Sequence, residues 1–144
     1  MARKEPEDLE AYMEECTRIE PLALEEEYIR LPSDTAYWAA RYAAVLGRYL
    51  ERRAVTKQMA SELKRTIRDR LTVELPKKPT VSEVEVEVQT DPAYIAAVAE
   101  EDAAEVEKVW LGGFLEALRA KREMLVSLGA HIRMEREMNM RERL

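Results

Sequence analysis

The feature that most restricts the fold is a run of 39 residues, from Asp34 to Thr72, that contains no proline and only one glycine, Gly47. Proline removes a backbone donor and glycine costs conformational entropy, so a run almost free of both favours one continuous helix. At 1.5 Å per residue, that helix would be roughly 55–60 Å long. Ser33 or Asp34, directly after Pro32, is the predicted N-cap.

Apolar residues recur along this predicted helix at steps of three, four and seven, which places them on one face. They are Trp38, Tyr42, Val45, Tyr49, Thr56, Met59, Ala60, Leu63, Ile67 and Leu71. A helix of this length buries a single stripe and therefore needs partner helices, from the same chain or from copies of it. The high proportion of charged residues, 36%, is typical of long amphipathic helices.

A second long helix is predicted to begin with Asp91 as N-cap and Pro92 as its first residue, and to end before Gly129. We expect the ranges 34–72 and 92–128 to pack antiparallel. The expected interface residues are Trp38, Tyr42, Leu63, Val106, Trp110 and Leu118. Gly112 and Gly113 interrupt the second helix at a cost of about 1 kcal/mol each relative to alanine, which predicts a close helix crossing.

The other segments are shorter. Residues 1–32 are predicted to form an acidic helical arm, and residues 33–144 a helical domain whose tail, 130–144, is frayed. Thr80 and Glu83 have the spacing of a capping box, which predicts a short helix over 80–88. The alternation of valine and glutamate there is instead typical of a strand, which leaves open a short β segment near 71–88. The predicted fold class is all-α, with long antiparallel helices that form an oligomer.

Charge is distributed unevenly along the chain. Residues 33–79 contain eleven Lys and Arg against five acids, whereas residues 80–113 contain nine acids and one base. An acidic protein, here with a net charge of −6, can still attract a polyanion through one concentrated basic segment. The bases border the apolar stripe on both sides. Arg41, Arg48 and Arg52 share one side, and Lys57, Lys64 and Arg68 share the other.

The sequence offers few groups for catalysis. There is one histidine, His131, one cysteine, Cys16, and no glycine-rich phosphate loop, so we expect no enzyme activity, no catalytic residue and no cofactor. The acidic run 100–105 is better explained as a solvated face than as a metal site, and we expect no metal. The absence of a run of about 20 apolar residues and of an apolar leader, together with the single cysteine, predicts a cytoplasmic protein that does not bind membranes.

The order and spacing of many features resemble those of the UvsY-type phage recombination mediators over roughly residues 28–138. The shared features are Tyr28-Ile29, Trp38, Tyr42, Tyr49, Leu50, the basic second half of the long helix, Lys78-Pro79-Thr80, Thr90-Asp91, Trp110, Ala117-Leu118, Lys121, Met124-Leu125 and Gly129. The chain departs from that family in its acidic first 27 residues and its acidic block 80–107.

The resemblance implies a non-enzymatic phage protein that acts in DNA recombination and repair in the host cytoplasm. Such proteins form ring-shaped homo-oligomers, bind single-stranded DNA and help a RecA-like recombinase to replace the single-strand-binding protein. The implied DNA contacts are Lys57, Lys64, Arg65, Arg68 and Arg70. The charge pattern also permits an alternative, a helical scaffolding oligomer whose basic and acidic blocks pair between subunits.

Overall fold

The structure, a computed structural model, describes residues 8–143. All regular secondary structure in this range is helical. Helix α1 spans Leu9–Thr17, α2 spans Leu24–Glu74, α3 spans Val81–Thr90 and α4 spans Pro92–Glu142, with a 3-10 turn at Pro21–Ala23. The all-α prediction is confirmed, and the alternative of a β segment near 71–88 is wrong. Residues 1–7 of the predicted acidic arm and the final residue of the predicted tail lie outside the described residues.

Helix α2 begins ten residues earlier than predicted, at Leu24, and Pro32 lies inside it. A proline there removes one helical hydrogen bond, the one to the carbonyl of Tyr28. Asp34 does not cap the helix, because its side chain is buried and accepts a hydrogen bond from Arg30 Nε at 3.1 Å. The negative charge of Asp34 in turn raises the pKa of Arg30. Burial of side chains on both sides of the proline explains why the predicted N-cap at 33–34 is wrong.

The chain divides into two compact units, to which both α2 and α4 contribute. Among the described residues, unit 1 consists of 8–41 and 110–143, and unit 2 of 42–109. Unit 1 therefore contains α1, the first part of α2 and the second part of α4. Unit 2 contains α3 and the remaining parts of the two long helices.

The core of unit 1 is built around Trp38. Its ring lies 5.3 Å from that of Phe114 in edge-to-face geometry and 5.8 Å from that of Tyr12, which belongs to α1. The other buried apolar residues of this unit are Met13, Cys16, Leu31, Leu111, Leu115, Leu118 and Leu125. Trp38 Nε1 is buried and has no hydrogen-bond partner within residues 8–143. Apolar contacts therefore hold Trp38 in place, and they include a residue of α1.

Gly129 makes room for a side chain and does not end a helix. Helix α4 continues to Glu142, so the predicted helix end at Gly129 is wrong, and residues 130–142 of the predicted frayed tail are helical. A Cβ atom at Gly129 would lie only 2.8 Å from the Tyr28 hydroxyl. That hydroxyl donates a hydrogen bond to the carbonyl of Leu125. The glycine is thus explained by the close approach of Tyr28.

The core of unit 2 explains why residues 81–90 are helical. Val84 and Val88 pack against Ile67 and Leu71 of α2, and their spacing of four places both on one face of a helix. Val86, which a strand would place on the same side, is exposed. The capping box at the start of α3 forms both of its hydrogen bonds. The prediction of a short helix here is confirmed, as is Asp91 as N-cap of α4, since its Oδ1 accepts bonds from two amides at 2.9 and 3.0 Å.

From Ala97 to Lys108, the inner face of α4 carries mostly small and charged residues. Thr56 Oγ1 lies 3.4 Å from the carbonyl of Ala97, and the Lys108 ammonium lies 3.8 Å from the centre of the Tyr49 ring. Val106 is 69% exposed, so its predicted place in the interface is wrong, and Trp110 of unit 1 is exposed as well. The larger apolar residues of this stretch lie on its outer side, because Ala97 and Lys108 occupy the inner side, beside Thr56 and Tyr49. The predicted burial of Trp38 and Leu118 is confirmed.

Candidate nucleic-acid interface

The five predicted DNA-contacting residues lie in unit 2, on the last four to five turns of α2. Lys57, Lys64, Arg65, Arg68 and Arg70 are all exposed. The structure does not bring them together on one surface. They are divided between the two flanks of the stripe that α2 buries against α3 and α4, and the two flanks differ in how their charges are neutralised.

The first flank, here called the paired flank, consists of Arg48, Arg52 and Arg70. Arg48 Nη2 lies 2.9 Å from Glu107 Oε1, and Arg52 Nη1 lies 2.6 Å from Glu100 Oε2. Arg70 forms an ion pair with Glu87. The acidic segment therefore neutralises this side of α2 within the chain. Arg70, one of the predicted contacts, is already engaged.

The second flank, here called the open flank, consists of Arg53, Lys57, Lys64, Arg65 and Arg68. Four of these bases follow steps of four, seven and four, which aligns them along one side of α2. Arg65 is turned by about 100° from Lys64, toward the exposed side of α2 away from the buried stripe. Lys64 Nζ is 3.9 Å from Glu85 Oε1, at the limit of an ion pair. The other four bases are exposed and form no ion pair with any residue from 8 to 143. Positive charge on this flank is available to a partner.

Small hydroxyl residues lie beside the bases of the open flank. Ser61 Oγ donates to the carbonyl of Lys57 at 3.1 Å, and Thr72 Oγ1 donates to the carbonyl of Arg68 at 2.7 Å. The sequence has no aromatic residue between Tyr49 and Tyr94, so no ring on this flank can stack on a base. The arrangement suits contacts to phosphates, which do not depend on sequence.

Sequence reasoning did not place Arg53 in the site, although one signal could have found it. Arg53 and Lys57 are four residues apart, as are Lys64 and Arg68, and the second pair lies eleven residues after the first. Lys77 and Lys78 were also outside the predicted set. They lie in the exposed turn between α2 and α3 and form no ion pair with the described residues.

A further charged site, in unit 1, was not predicted. Lys121 is 6% exposed, its Nζ donates to the carbonyl of Cys16 at 2.8 Å, and it lies 2.5 Å from Glu27 Oε2. The two contacts connect α4 to α1 and α2. The sequence signal was the position of Lys121 between the buried Leu118 and Leu125, on the apolar face of α4.

A cavity of about 220 Å³ lies beside this lysine. Its lining residues are Glu15, Cys16, Arg18, Glu20, Glu27, Arg30, Leu31, Asp34 and Lys121. Arg30 and Asp34 pair with each other there, as Lys121 does with Glu27. The two buried charges there, Asp34 and Lys121, are thus each neutralised by an opposite charge, as burial requires.

No group of three or more His, Cys, Asp and Glu side chains within residues 8–143 is placed to hold a metal ion. His131 is exposed and lies 3.2 Å from Glu135. None of the helices in the described part of the chain is long and apolar enough to cross a bilayer. Comparisons with protein-family models, curated proteins and solved structures find no match for this chain.

Proposed function

We propose that the protein is a non-enzymatic DNA-recombination mediator. As a homo-oligomer, which the resemblance suggests is a ring, it binds single-stranded DNA and helps to load a RecA-like recombinase in place of the single-strand-binding protein. The observation that carries this proposal is the open flank of α2. It presents four exposed bases without a carboxylate partner among residues 8–143, in a unit whose other bases on α2 are neutralised.

The physical basis of binding is the release of counterions from DNA by lysine and arginine. Arg53, Lys57, Arg65 and Arg68 span about 22 Å along α2, at 1.5 Å per residue. If each neutralises one phosphate of a single strand, one subunit contributes a slope of about −3 to the dependence of log affinity on log salt. The lack of aromatic residues on this flank makes the binding tolerant of sequence.

Self-association is needed because four exposed contacts give a weak site. Several copies that hold one strand raise the effective concentration of each further contact. We also infer that the long helices α2 and α4 pack antiparallel. The order of contacts in unit 2 supports that arrangement, since positions 48, 52 and 56 of α2 meet positions 107, 100 and 97 of α4.

A second candidate function is a helical scaffold whose basic and acidic blocks pair between subunits. The observation that favours it is the paired flank, where acids of α3 and α4 do meet bases of α2. Those pairs form within one chain, however. A scaffold would therefore have to use the open flank for contacts between copies.

The two candidates differ in what the open flank binds. If the protein is a mediator, single-stranded oligonucleotides should bind to the wild type, and more weakly as the salt concentration rises. An Arg65→Ala, Arg68→Ala variant should bind them at least tenfold more weakly, with the mass of its oligomer unchanged. The matched control is Arg48→Ala, Arg52→Ala on the paired flank, which removes the same charge. If the wild type never binds DNA and the first variant loses its oligomer, the scaffold is the correct function.

The loading step is tested separately. We expect the wild type, and not the Arg65→Ala, Arg68→Ala variant, to accelerate filament assembly by a RecA-like recombinase on DNA covered by single-strand-binding protein. A wild type that binds DNA but leaves the assembly rate unchanged would contradict the mediator role and leave only a DNA-binding protein.

A further inference from the structure

In unit 1, helix α4 carries a stripe without Asp, Glu, Lys or Arg on its exposed side. The stripe takes every third or fourth residue from Trp110 to Met138, at alternating steps of three and four. Its larger residues, all exposed, are Trp110, Met124, His131, Met134 and Met138. Its small residues, of which only Ala117 is half-buried, are Gly113, Ala117, Ala120 and Ser127. This stripe is called the α4 seam.

The spacing of the α4 seam indicates that its partner is a helix. A repeat of seven residues, with uncharged side chains at alternating steps of three and four, is the pattern by which two helices coil around each other. Charged residues make up 36% of the chain, yet no position of the seam holds one. Exposed methionines and a tryptophan in one continuous stripe indicate a binding surface and not a solvated face.

Gly113 has no role in the packing of unit 1. A Cβ atom placed on it would meet no described atom within 4 Å, so the contacts of the chain do not require a glycine there. A glycine in a helix interior makes the helix less stable than an alanine would. It does leave room for a large side chain of another molecule to reach the backbone.

The α4 seam is complementary in size to its own copy in the antiparallel orientation. In one register, every layer joins a large residue of one copy to a small residue of the other: Met124 to Ser127, His131 to Ala120, Met134 to Ala117, and Met138 to Gly113. Such layers have a uniform thickness, as close packing requires. A parallel pair would place each residue against its own copy, with gaps at Gly113 and Ala117 and crowding at Met134 and Met138.

The charge at the end of the seam also favours the antiparallel pair. The same register places Arg141 opposite Trp110 of the second copy. Arg141 is exposed and forms no ion pair with the residues from 8 to 143. A guanidinium group over an indole ring is a favourable cation–π contact. In a parallel pair, Arg141 would instead face Arg141 of the second copy, and like charges repel.

The charges beside the seam do not oppose this register. One pair of carboxylates faces across it, Glu116 and Glu137 of the second copy. Arg119 forms an ion pair with Glu116, and Arg133 lies four residues before Glu137, the spacing of an ion pair on a helix. The other glutamates beside the seam face uncharged positions, Glu123 facing Ala130 and Glu135 facing Phe114. The sizes of the seam residues therefore determine the register.

We infer that the α4 seam of one copy binds the α4 seam of a second copy in the antiparallel orientation, which gives a two-fold symmetric dimer. From Trp110 to Arg141 the contact is about 47 Å long, and a helix with its side chains is about 10–12 Å wide. The two copies together therefore cover roughly 1,000 Å², the size expected of a specific interface. The inference rests on the proposed function only in that it specifies the self-association which that function assumes, and it uses no residue of the open flank.

The first test measures mass by sedimentation without DNA. Met134→Glu places a charge in the seam, and the matched control is Met140→Glu, outside the seam on the same helix. Met134 is 62% exposed and Met140 64%, so neither change disturbs the core. We expect Met134→Glu to lower the mass of the wild-type assembly at least twofold, toward that of the 16.7 kDa chain, and Met140→Glu to leave it unchanged. Circular dichroism should show the same helix content in all three proteins.

Disulfide cross-linking tests the orientation, in a Cys16→Ala background that leaves one cysteine in each subunit. Gly113→Cys and Met138→Cys place that cysteine at two facing positions. Oxidation of the two variants refolded together should give a covalent dimer. Each variant alone should give none, because two copies of the same cysteine lie about 38 Å apart along the antiparallel pair. A parallel pair would give the reverse result, with cross-links in each variant alone.

Three results would overturn the inference. They are a wild type that remains a monomer at a concentration of about 100 μM, an assembly that Met134→Glu does not weaken more than Met140→Glu, and cross-links in the single variants without any in the mixture. Because DNA is absent, each result is scored independently of DNA binding. A protein that dimerises as described but never binds DNA would contradict the proposed function and leave the seam contact standing.

Discussion

Lys121 in unit 1 and the bases of α2 in unit 2 carry the same charge in opposite environments. Lys121 is buried, and two groups from other helices satisfy it. The bases of α2 are exposed, and only some of them have partners. A buried charge needs an opposite charge beside it to offset the free energy lost with its hydration, whereas an exposed charge stays hydrated and needs no partner. The difference indicates that charge stabilises the fold in unit 1 and is available to other molecules in unit 2.

The largest expected effect is on the buried lysine. Lys121→Ala should lower the free energy of unfolding by about 2–4 kcal/mol, because it leaves the carboxylate of Glu27, whose side chain is 18% exposed, without its partner. Lys121→Ala combined with Glu27→Ala should cost less than the sum of the two single variants. Urea denaturation gives these values, with Arg122→Ala, an exposed neighbour, as a control within about 0.5 kcal/mol of the wild type. A cost below 1 kcal/mol for Lys121→Ala would remove the distinction between the two units.

The glycines of the two units should respond to alanine with opposite signs. Gly129→Ala in unit 1 places a Cβ 2.8 Å from the Tyr28 hydroxyl, and we expect it to destabilise the protein by about 1–3 kcal/mol. Gly47→Ala in unit 2 meets no described atom and should stabilise the single chain by up to about 1 kcal/mol. Thermal unfolding at a concentration where the protein is monomeric measures both.

A second variant shows whether the Tyr28 hydroxyl is the cause. In a Tyr28→Phe background, Gly129→Ala should be tolerated, since the next atom of that ring lies 3.7 Å away. If Gly129→Ala costs the same in both backgrounds, the close approach of the hydroxyl is not what requires the glycine.

Breaking an ion pair of the paired flank should have a smaller effect. Arg48→Ala removes an exposed contact to Glu107, and such pairs contribute about 0–1 kcal/mol. The measurement is a double-mutant cycle with Glu107→Ala at low and high salt. A coupling energy of several kcal/mol that persists in high salt would show that the unit 2 pairs are structural, as in unit 1.

The smallest effect concerns the capping box of α3. Two hydrogen bonds from Thr80 lower the pKa of Glu83. The bond from the Thr80 backbone amide has the larger effect and the bond from its hydroxyl the smaller. A lowered folded-state pKa means that this stabilisation is present above the unfolded pKa of Glu83 and is lost as pH falls through the folded one. We expect the amides at the start of α3 to exchange faster with solvent in acid.

Glu83→Gln is the matched control for that prediction. The glutamine keeps a hydrogen-bond acceptor for the Thr80 amide but does not titrate, so the acid-induced increase in exchange should disappear. If the increase persists in the glutamine variant, another group is responsible for it.

The sequence predicted most of the helices and less of their packing. The long run without prolines predicted most of α2, and Asp91-Pro92 predicted the start of α4 correctly. Pro32 predicted a helix start and Gly129 a helix end, and both predictions are wrong because tertiary contacts, the burial of Asp34 and the approach of Tyr28, override these local preferences. No local rule contains those contacts.

The candidate site shows the same limit. The basic composition of α2 could be read from the sequence, but the division into two flanks could not. Which bases are neutralised depends on how α3 and α4 lie against α2, and this places Glu87, Glu100 and Glu107 beside three arginines. The wrong placement of Val106 has the same cause, since the sequence pattern does not show that this part of α4 packs through Ala97 and Lys108 instead of its larger apolar residues.

The central claim is that the open flank of α2 binds the phosphates of single-stranded DNA. The most direct test is the anisotropy of a labelled oligonucleotide at several salt concentrations, with three proteins of known mass. These are the wild type, Arg65→Ala with Arg68→Ala, and Arg48→Ala with Arg52→Ala. We expect the first double variant to lose at least tenfold in affinity and about 1.4 from the salt slope per subunit, and the second to stay within about twofold of the wild type. Equal losses in both variants, or a wild type that does not bind, would contradict the account.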